Sequence, residues 1–404
     1  MIRYWKIISI TLIIVLTIGT FYIRSAMAGN DYPEFVFDKQ SGNENEVVNL
    51  TLLGDFRVGV QGNPLEISSE ETVYANELSF FERLRGIYMS AELERLQNSY
   101  RNFMRGKDNI SGIFEDEKRL VYVDTNGNYV RDRPREYTFD IEILEKDSKD
   151  KLDFTVTIPE KNKYNYVYME DVQVLDNVMK VTTVNHSVNG NGYGSEEIHV
   201  YSLDIANQKL VNDEVIQLSP EQSSGQNSYM YLVQDESDIG LTTYLVFKKE
   251  YMEEVEQADG NYYNESIGSE LITYHLASGE QRPIPLPEEI NTLNSSVYLD
   301  DSIIYIDKTT DQGIKVSMFN LESQEIETSK TIKLPANLTE PLNTKIMDGK
   351  LYVVGYEVSK NTKAPLLVID VETGKTLFEG IIETKNLEEN HLEYEMNIYD
   401  MDLK

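Results

Sequence analysis

The feature that most constrains this chain is a series of four short strand-like segments between Asn343 and Glu383. Thr344 to Gly355 has the pattern of two strands joined by a tight turn at Asp348-Gly349. Leu367 to Ile382 has the pattern of two more strands, joined at residues 372–374. We therefore expect one small antiparallel sheet of four strands in about 40 residues.

The same four-strand pattern recurs upstream of this stretch. Where the third strand ends, an apolar run reaches a polar residue, then one more apolar residue and a small polar turn. This marker occurs at residues 202–209, 273–280, 318–325 and 368–375. Proline closes the fourth strand in several units, as expected of a residue that cannot donate to a ladder. The markers predict repeats at residues 119–158, 166–218, 227–287, 293–333 and 341–382.

An ordered series of four-stranded units indicates a radial repeat array. Near the two ends of the chain, Val47 to Val60 and Leu392 to Tyr399 also alternate like strands. Pairing between them would complete one more sheet and remove an exposed sheet edge. The sequence therefore predicts an all-β fold, a β-propeller of about six four-stranded blades, with five or seven blades as the alternatives.

One repeat also resembles a known family. Val368 to Phe378 has the pattern Val-Ile-Asp-x-x-Thr-Gly-x-x-x-Phe. It is similar to the repeats of quinoprotein-like and WD40-like bacterial β-propellers, in which the last position is usually Trp. The resemblance implies a propeller in a bacterial, extracytoplasmic, membrane-anchored protein. It does not imply a quinone cofactor.

The N-terminus has the charge pattern of a membrane-targeting segment. Arg3 and Lys6 precede Ile7 to Ile23, which has no charged residue and contains 11 Ile, Leu, Val or Phe residues. Because a basic flank stays in the cytoplasm, this pattern predicts a single span with the bulk of the chain outside the cytoplasmic membrane. Cleavage near Ala28 would instead release a secreted protein. A buried core helix is the third interpretation.

These observations divide the chain into four regions. We expect a cytoplasmic stub at residues 1–6, a transmembrane anchor or signal sequence at 7–23, a linker at 24–46, and the β-propeller at 47–404. A helical insertion at 77–107 interrupts the propeller. In its second half, apolar residues follow helical spacing after Ser90, a natural N-cap, and Gly106 is a natural stop.

The insertion is basic, whereas the whole chain has a net charge of −32. Arginine binds carboxylates and phosphates in a bidentate way. We therefore predict a partner-docking surface for an acidic protein or an acidic wall polymer. Its predicted residues are Arg95, Arg101, Arg105 and Lys107. The alternative is that these charges are solvated or paired with acidic neighbours. Nucleic acid is not an expected partner, because phosphate binding needs an excess of cations.

The sequence shows little catalytic chemistry. There is no cysteine, which excludes disulfides and thiol catalysis. His186, His199, His275 and His391 have neither HExxH nor HxH spacing, so none of them predicts a metal site. Asp124-x-Asn126-x-Asn128 begins like a calcium loop but lacks the later glycine and acid. Instead, Asn126-Gly127 predicts a hairpin turn. No cofactor and no metal is predicted.

Tyrosine is abundant, with 27 residues. We expect the strand tyrosines to pack between sheets, and stacking against sugar rings is the alternative. The tyrosines considered are Tyr122, Tyr201, Tyr274, Tyr305 and Tyr352.

Two classes of function remain. The first is a non-catalytic binding scaffold or sensor for a protein, a peptide or a cell-wall polymer. The second is a cell-envelope hydrolase or lyase, or a quinone-dependent oxidoreductase. Clustered polar residues that converge on the central channel of the propeller would favour the enzyme, whereas an apolar or merely acidic channel would favour the scaffold.

Overall fold

The computed structural model describes residues 10–13, 16–17, 19, 32–78, 90–130, 133–160, 162–188, 194–216, 226–233, 238–256, 262–287, 290, 295–335, 341–385 and 393–404. Within these ranges, 26 strands form six antiparallel sheets of four or five strands each. The chain divides into two compact units, Met1–Met89 with Leu334–Lys404, and Ser90–Lys333.

The elements follow one another in this order. Strands β1 to β4 are Phe35–Gly42, Leu50–Val58, Gln61–Ser68 and Thr72–Tyr74. Helix α1 is Ala91–Ser99, and two short 3-10 turns are Glu44–Glu46 and Ile110–Gly112. Strands β5 to β8 are Ile113–Glu115, Arg119–Val130, Arg133–Glu145 and Lys151–Thr157. Strands β9 to β12 are Tyr166–Leu175, Val178–Val188, Gly194–Asp204 and Lys209–Ile216. Strands β13 to β16 are Gln226–Val233, Tyr244–Glu256, Tyr262–His275 and Glu280–Pro283. Strands β17 to β20 are Ser296–Asp300, Ile303–Thr310, Gly313–Asn320 and Glu325–Ile332. Strands β21 to β26 are Leu342–Met347, Lys350–Gly355, Glu357–Ser359, Ala364–Asp370, Thr376–Thr384 and Glu395–Leu403.

In the unit Ser90–Lys333, the strands form four meanders. Sheets C, D, E and F contain β5–β8, β9–β12, β13–β16 and β17–β20, each in consecutive order. The predicted repeats at 119–158, 166–218, 227–287 and 293–333 are therefore confirmed as sheets. Local alternation and turn residues were sufficient because each sheet is built from neighbouring segments of the chain.

Neighbouring sheets of this unit share apolar layers. Phe139 of sheet C and Tyr201 of sheet D meet in one layer, with ring centroids 5.2 Å apart. Phe247 of sheet E packs with Val200 of sheet D, and sheets E and F share a third layer around Ile304. Sheets D and E therefore have an apolar layer on each of their two faces.

The other unit contains two five-stranded sheets. Sheet A has the order β1-β25-β24-β22-β21, and sheet B has the order β23-β26-β2-β3-β4. The predicted pairing of the two end segments is confirmed, because β26 pairs with β2 from Leu50↔Leu403 to Arg57↔Glu395. Six antiparallel sheets of four or five strands are consistent with a six-bladed propeller.

The predicted linker at residues 24–46 is wrong in part. Phe35–Gly42 forms β1, which pairs with β25 at the outer edge of sheet A. Phe35 is only 1% exposed and anchors this strand in the core of the unit. The error arose because the later residues of the strand are polar and exposed, so its apolar alternation is short.

The hairpin turns gave a mixed outcome. The turn at Asp348-Gly349 is confirmed, and both residues have positive φ, 50° and 68°, as a two-residue hairpin turn requires. The turn predicted at Asn126-Gly127 is wrong. Strand β6 continues through both residues, which pair with Thr138 and Tyr137 of β7. The ladder between two long strands outweighed the local turn preference.

The tyrosines predicted to pack do so. Tyr122, Tyr201, Tyr274, Tyr305 and Tyr352 are all buried. Tyr201 and Tyr274 lie in the apolar layers shared by neighbouring sheets, and Tyr352 lies in the core of the other unit.

The predicted membrane span at residues 7–23 lies largely outside the described residues. Residues 10–13 are helical. Among the residues that are described, no helix is long and apolar enough to cross a membrane. Of the predicted helical insertion at 77–107, the described part contains α1, and residues 79–89 lie outside the described ranges.

Candidate functional site

Helix α1 positions the basic residues predicted to dock a partner. Its first turn is capped by Ser90, whose side chain accepts a hydrogen bond of 3.2 Å from the Leu93 amide. Leu93 and Leu96 are buried, so one face of the helix is packed away from solvent. The helix ends at Ser99, and the N–H of the capping residue Tyr100 donates to the Leu96 carbonyl at 2.8 Å. The predicted N-cap is confirmed. The predicted stop at Gly106 is wrong, because residues 100–106 form turns instead of continuing the helix.

Arg95 is held by acidic neighbours. Its Nε lies 2.8 Å from Glu92 Oε2, and its Nη2 lies 2.6 Å from Glu92 Oε1 and also contacts Glu115. Glu115 in turn lies 2.5 Å from Lys146 Nζ. The hydrogen bonds to Glu92 are the main reason that the pKa of Arg95 is raised above its ordinary value. This arginine therefore connects α1 to strand β5.

Lys107 is a buried cation. The residue is 7% exposed, and its Nζ lies 2.9 Å from Glu142 Oε1. The same ammonium lies over the rings of Phe103 and Tyr122, at 4.8 Å and 5.4 Å from their centroids. Two aromatic faces and one carboxylate stabilise the charge where water is excluded. Lys107 thus fixes the end of the insertion to sheet C.

Arg101 and Arg105 differ from the other two residues. Both lie in the turns that follow α1, and both are exposed. Within the described part of the chain, neither side chain has a hydrogen-bond or ion-pair partner. The structure therefore brings the four predicted residues into one segment but leaves only these two guanidinium groups available. Their docking role stays a prediction.

A cleft of about 120 Å³ lies at the first strands of sheets C, D and E. Its lining is acidic and apolar: Ile110, Ser111, Ile113, Glu170, Asp171, Leu232, Asp238 and Ile239. The Asp171 carboxylate is 4% exposed and accepts a hydrogen bond of 3.1 Å from Gln173 Nε2. Gln173 Oε1 accepts from the Thr242 amide at 3.0 Å, which ties the cleft wall to sheet E.

A second polar cluster lies on the face of sheet D that packs against sheet C. His199 is 2% exposed, and its ring lies between two carboxylates. Nδ1 is 2.7 Å from Asp213 Oδ1, and Nε2 is 3.1 Å from Glu197 Oε2. The ring also stacks on Tyr201, with centroids 5.2 Å apart and an angle of 9° between the planes.

Tyr164 joins this cluster from the connection before β9. Its hydroxyl lies 3.0 Å from His199 Nε2 and 2.8 Å from carboxylate oxygens of both Glu160 and Glu197. Lys163 Nζ lies 2.9 Å from Glu197 and also contacts Glu160. The network therefore fastens the connection between sheets C and D onto the third strand of sheet D.

The charges of the cluster are mutually stabilised. Burial alone would lower the pKa of His199, but Asp213 and Glu197 outweigh it and raise that pKa above its ordinary value. Burial acts to raise the pKa of Glu197, yet hydrogen bonds from Lys163, Tyr164 and His199 lower it overall. Burial and the two glutamates raise the pKa of the Tyr164 hydroxyl. The neighbouring carboxylates therefore favour the protonated, positively charged form of His199.

Sequence reasoning treated each histidine as isolated and missed this cluster. Glu197, His199 and Tyr201 alternate along β11, and that period of two places them on one face. This alternation is visible in the sequence and could have predicted that the three side chains lie together. The partners Asp213 and Tyr164 were not predictable, because they depend on strand register and on the path of a connection.

The described residues give no indication of a metal centre. No group of three or more His, Asp or Glu side chains with metal-binding geometry occurs among them. His391 lies outside the described ranges. The expected absence of a cofactor stays a prediction.

Comparison with known proteins gave only remote likenesses. No protein-family model matches the chain. No curated protein matches it either. TolB from Acinetobacter baumannii shares 11% identity over 90% of this chain and 67% of TolB, with a TM-score of 0.27. The periplasmic gluconolactonase PpgL of Pseudomonas aeruginosa shares 11% identity over 87% of this chain and 98% of PpgL, with a TM-score of 0.28.

Similarities as low as these support no conclusion about the fold or the function of the chain, so both have to be inferred from its own residues. By its own structure, the chain is an all-β protein of antiparallel four- and five-stranded sheets, with the short helix α1 joined to sheet C through Arg95 and Glu115.

Proposed function

We propose that the chain is a membrane-anchored, extracytoplasmic six-bladed β-propeller that binds a partner without catalysing a reaction. The proposed partner is an acidic protein or an acidic cell-wall polymer, and the proposed docking groups are Arg101 and Arg105. One observation carries this proposal. Both guanidinium groups are exposed and have no partner among the described residues, in a chain with a net charge of −32.

The contrast with neighbouring cations supports the proposal. The chain has 69 Asp and Glu residues against 37 Lys and Arg residues, so carboxylates are available to most cations. Arg95, Lys107 and Lys146 all have carboxylate partners within the fold. Arg101 and Arg105 have no such partner among the described residues, and their guanidinium groups can make bidentate contacts with carboxylates or phosphates of a partner.

The segment that carries the two arginines is also well fixed. Ser90 caps the start of α1, and the Lys107–Glu142 pair holds the other end. A fixed backbone loses little conformational freedom on binding, so more of the contact energy is available as affinity.

The lining of the cleft supports binding over catalysis. Its polar groups are Ser111 and the carboxylates of Glu170, Asp171 and Asp238, and its other groups are apolar. An acidic and apolar lining of this kind favours a scaffold. A hydrolase, a lyase or an oxidoreductase that used this cleft would need groups of differing chemistry in its lining.

Anchoring by residues 7–23 is part of the proposal and has its own test. Protease added to intact protoplasts should remove the folded chain, because the basic N-terminus predicts that the bulk lies outside. Protection of the chain would contradict the proposed orientation. A mature N-terminus at Gly29 in the culture medium would show a cleaved signal instead.

Docking can be tested by capture from solubilised membranes with the full chain as bait. The test variant is Arg101→Ser/Arg105→Ser. The control is Arg282→Ser/Lys209→Ser, which removes the same charge from exposed positions in the same unit. Bound proteins would be identified by mass spectrometry and bound wall polymer by its phosphate content. We expect the control to capture as the wild type does and the test variant to lose capture. Equal capture by both variants would exclude docking at the two arginines.

A further inference from the structure

Strands β14 and β15 form a two-stranded ribbon that extends beyond the rest of sheet E. Strand β13 pairs with β14 from Val246 to Glu253, whereas β16 pairs with β15 only from Ile272 to His275. Of the described residues, none pairs with the outer side of Tyr262–Gly268 of β15. We call these seven residues the open edge.

An open edge is a template for another strand. Its backbone N–H and C=O groups are available to an incoming chain, and natural proteins usually cover or guard such a row. Seven residues of extended chain span about 23 Å. The side chains along it are large and accessible, with Tyr262, Tyr263 and Ile267 at 61%, 43% and 46% exposure. The geometry is that of strand addition by an extended polypeptide.

The charge on the ribbon selects the kind of polypeptide. The ribbon carries Glu253, Glu254 and Glu256 on β14 and Glu265 on β15, all exposed. Residues 250–256 and 262–270 contain no Lys, Arg or His. Glu253 lies directly opposite Glu265 in the ladder, and like charges in that position are destabilising. A cation placed beside this pair would relieve the repulsion.

Each face of the ribbon carries glutamates and one tyrosine. Glu253, Glu265 and Tyr263 share one face, and Glu254, Glu256 and Tyr262 share the other. Alternate side chains of an added strand would therefore meet carboxylates and a tyrosine ring on either face. Arginine and lysine suit both kinds of group.

We propose that the open edge binds an extended, basic segment of a partner polypeptide as an added strand. Backbone hydrogen bonds would fix the segment along β15, and the glutamates would select its positive charge. A second copy of this chain is disfavoured, because two open edges would bring their glutamates together. A polysaccharide has no peptide ladder to pair with the edge. The proposal is independent of docking at Arg101 and Arg105.

The test uses the full chain and a fluorescent nine-residue peptide of alternating Arg and Val. Two matched peptides are needed, one with Glu in place of Arg and one with every second amide N-methylated. The N-methylated peptide keeps the charge but cannot complete the ladder. We expect binding of the basic peptide, tenfold or greater weakening on N-methylation, and no binding of the acidic peptide.

Variants of the chain locate the site. Glu253→Gln/Glu265→Gln should weaken binding of the basic peptide tenfold or more. The same variant should be slightly more stable to unfolding than the wild type, because it removes the two opposed charges. The control Glu322→Gln/Glu325→Gln removes two exposed carboxylates from sheet F and the turn before its last strand, and it should bind the peptide as the wild type does.

Three results would overturn the proposal. Equal binding of the N-methylated peptide would show simple charge attraction. Equal weakening by both pairs of variants would show that the site lies elsewhere. Elution of the wild type as a dimer that Ile267→Lys converts to a monomer would show that a second copy occupies the edge.

Discussion

The ammonium group of Lys107 lies 2.9 Å from the Glu142 carboxylate and 4.8 Å from the centre of the Phe103 ring, with the residue 7% exposed. Arg105, two positions earlier, is exposed. Two basic residues of the same segment therefore have different roles, one within the fold and one on its surface.

Lys107→Ser should destabilise the unit that contains sheet C, whereas Arg105→Ser should not. Removing a partner from a buried ion pair typically costs about 3–5 kcal/mol. The Glu142 side chain is 43% exposed and can be solvated, so we expect a smaller loss, about 1–3 kcal/mol of unfolding free energy. Arg105→Ser should stay within about 0.5 kcal/mol of the wild type. Denaturant titration of the full-length variants measures both, and equal losses would contradict the assignment.

The His199 cluster should make stability depend on pH. The pKa of His199 is raised above 6.5 in the folded chain, so its contribution is complete below 6.5 and is lost as pH rises through the raised value. The pKa of Glu197 is lowered below 4.5, so its contribution is present above 4.5 and is lost as pH falls. The cluster should therefore stabilise most between these two values.

Denaturation midpoints measured from about pH 5 to about pH 8 test this expectation. The wild type should lose stability across the upper part of that range, and His199→Gln should lose less because it has no imidazolium to deprotonate. The idea fails if the variant and the wild type have parallel pH profiles.

Tyr164→Phe should isolate the hydroxyl that links Glu160, Glu197 and His199. The residue is 4% exposed, and the substitution keeps its ring. Loss of the hydroxyl should cost roughly 1–2 kcal/mol, because its less exposed partners, Glu197 and His199, lose a hydrogen bond. Tyr168→Phe is the matched control, since Tyr168 is 56% exposed. A control that is equally destabilised would show that the effect does not come from the cluster.

Strand β26 should be essential to the unit that contains sheets A and B. Ile398 is fully buried in β26, whereas Tyr399 is 44% exposed. Ile398→Ala should cost about 2–5 kcal/mol by creating a cavity, and Tyr399→Ala should cost far less. Thermal unfolding of the two variants compares them directly. Similar melting would indicate that the last strand contributes little to the core.

Which parts of the structure could be predicted from the sequence depends on how far apart in the chain the interacting residues lie. Sheets C to F were predictable because their strands are neighbours in the chain and carry local turn signals. Strand β1 was not, because its partners lie in β25, and Ser41 hydrogen-bonds to Glu379, 338 residues later. Similarly, no local pattern separates Lys107 from Arg105. Their difference depends on Glu142, which reaches the segment only through the register of β7.

The most direct test of the central claim is the affinity of the purified full chain for a defined polyanion, wall teichoic acid or poly-glutamate, as a function of salt. We expect saturable binding that weakens as salt rises, because the contacts are ionic. Arg101→Ser/Arg105→Ser should bind at least tenfold more weakly, a difference of about 1.4 kcal/mol. Arg282→Ser/Lys209→Ser should bind as the wild type does. Wild-type affinity in the Arg101→Ser/Arg105→Ser variant would contradict the claim.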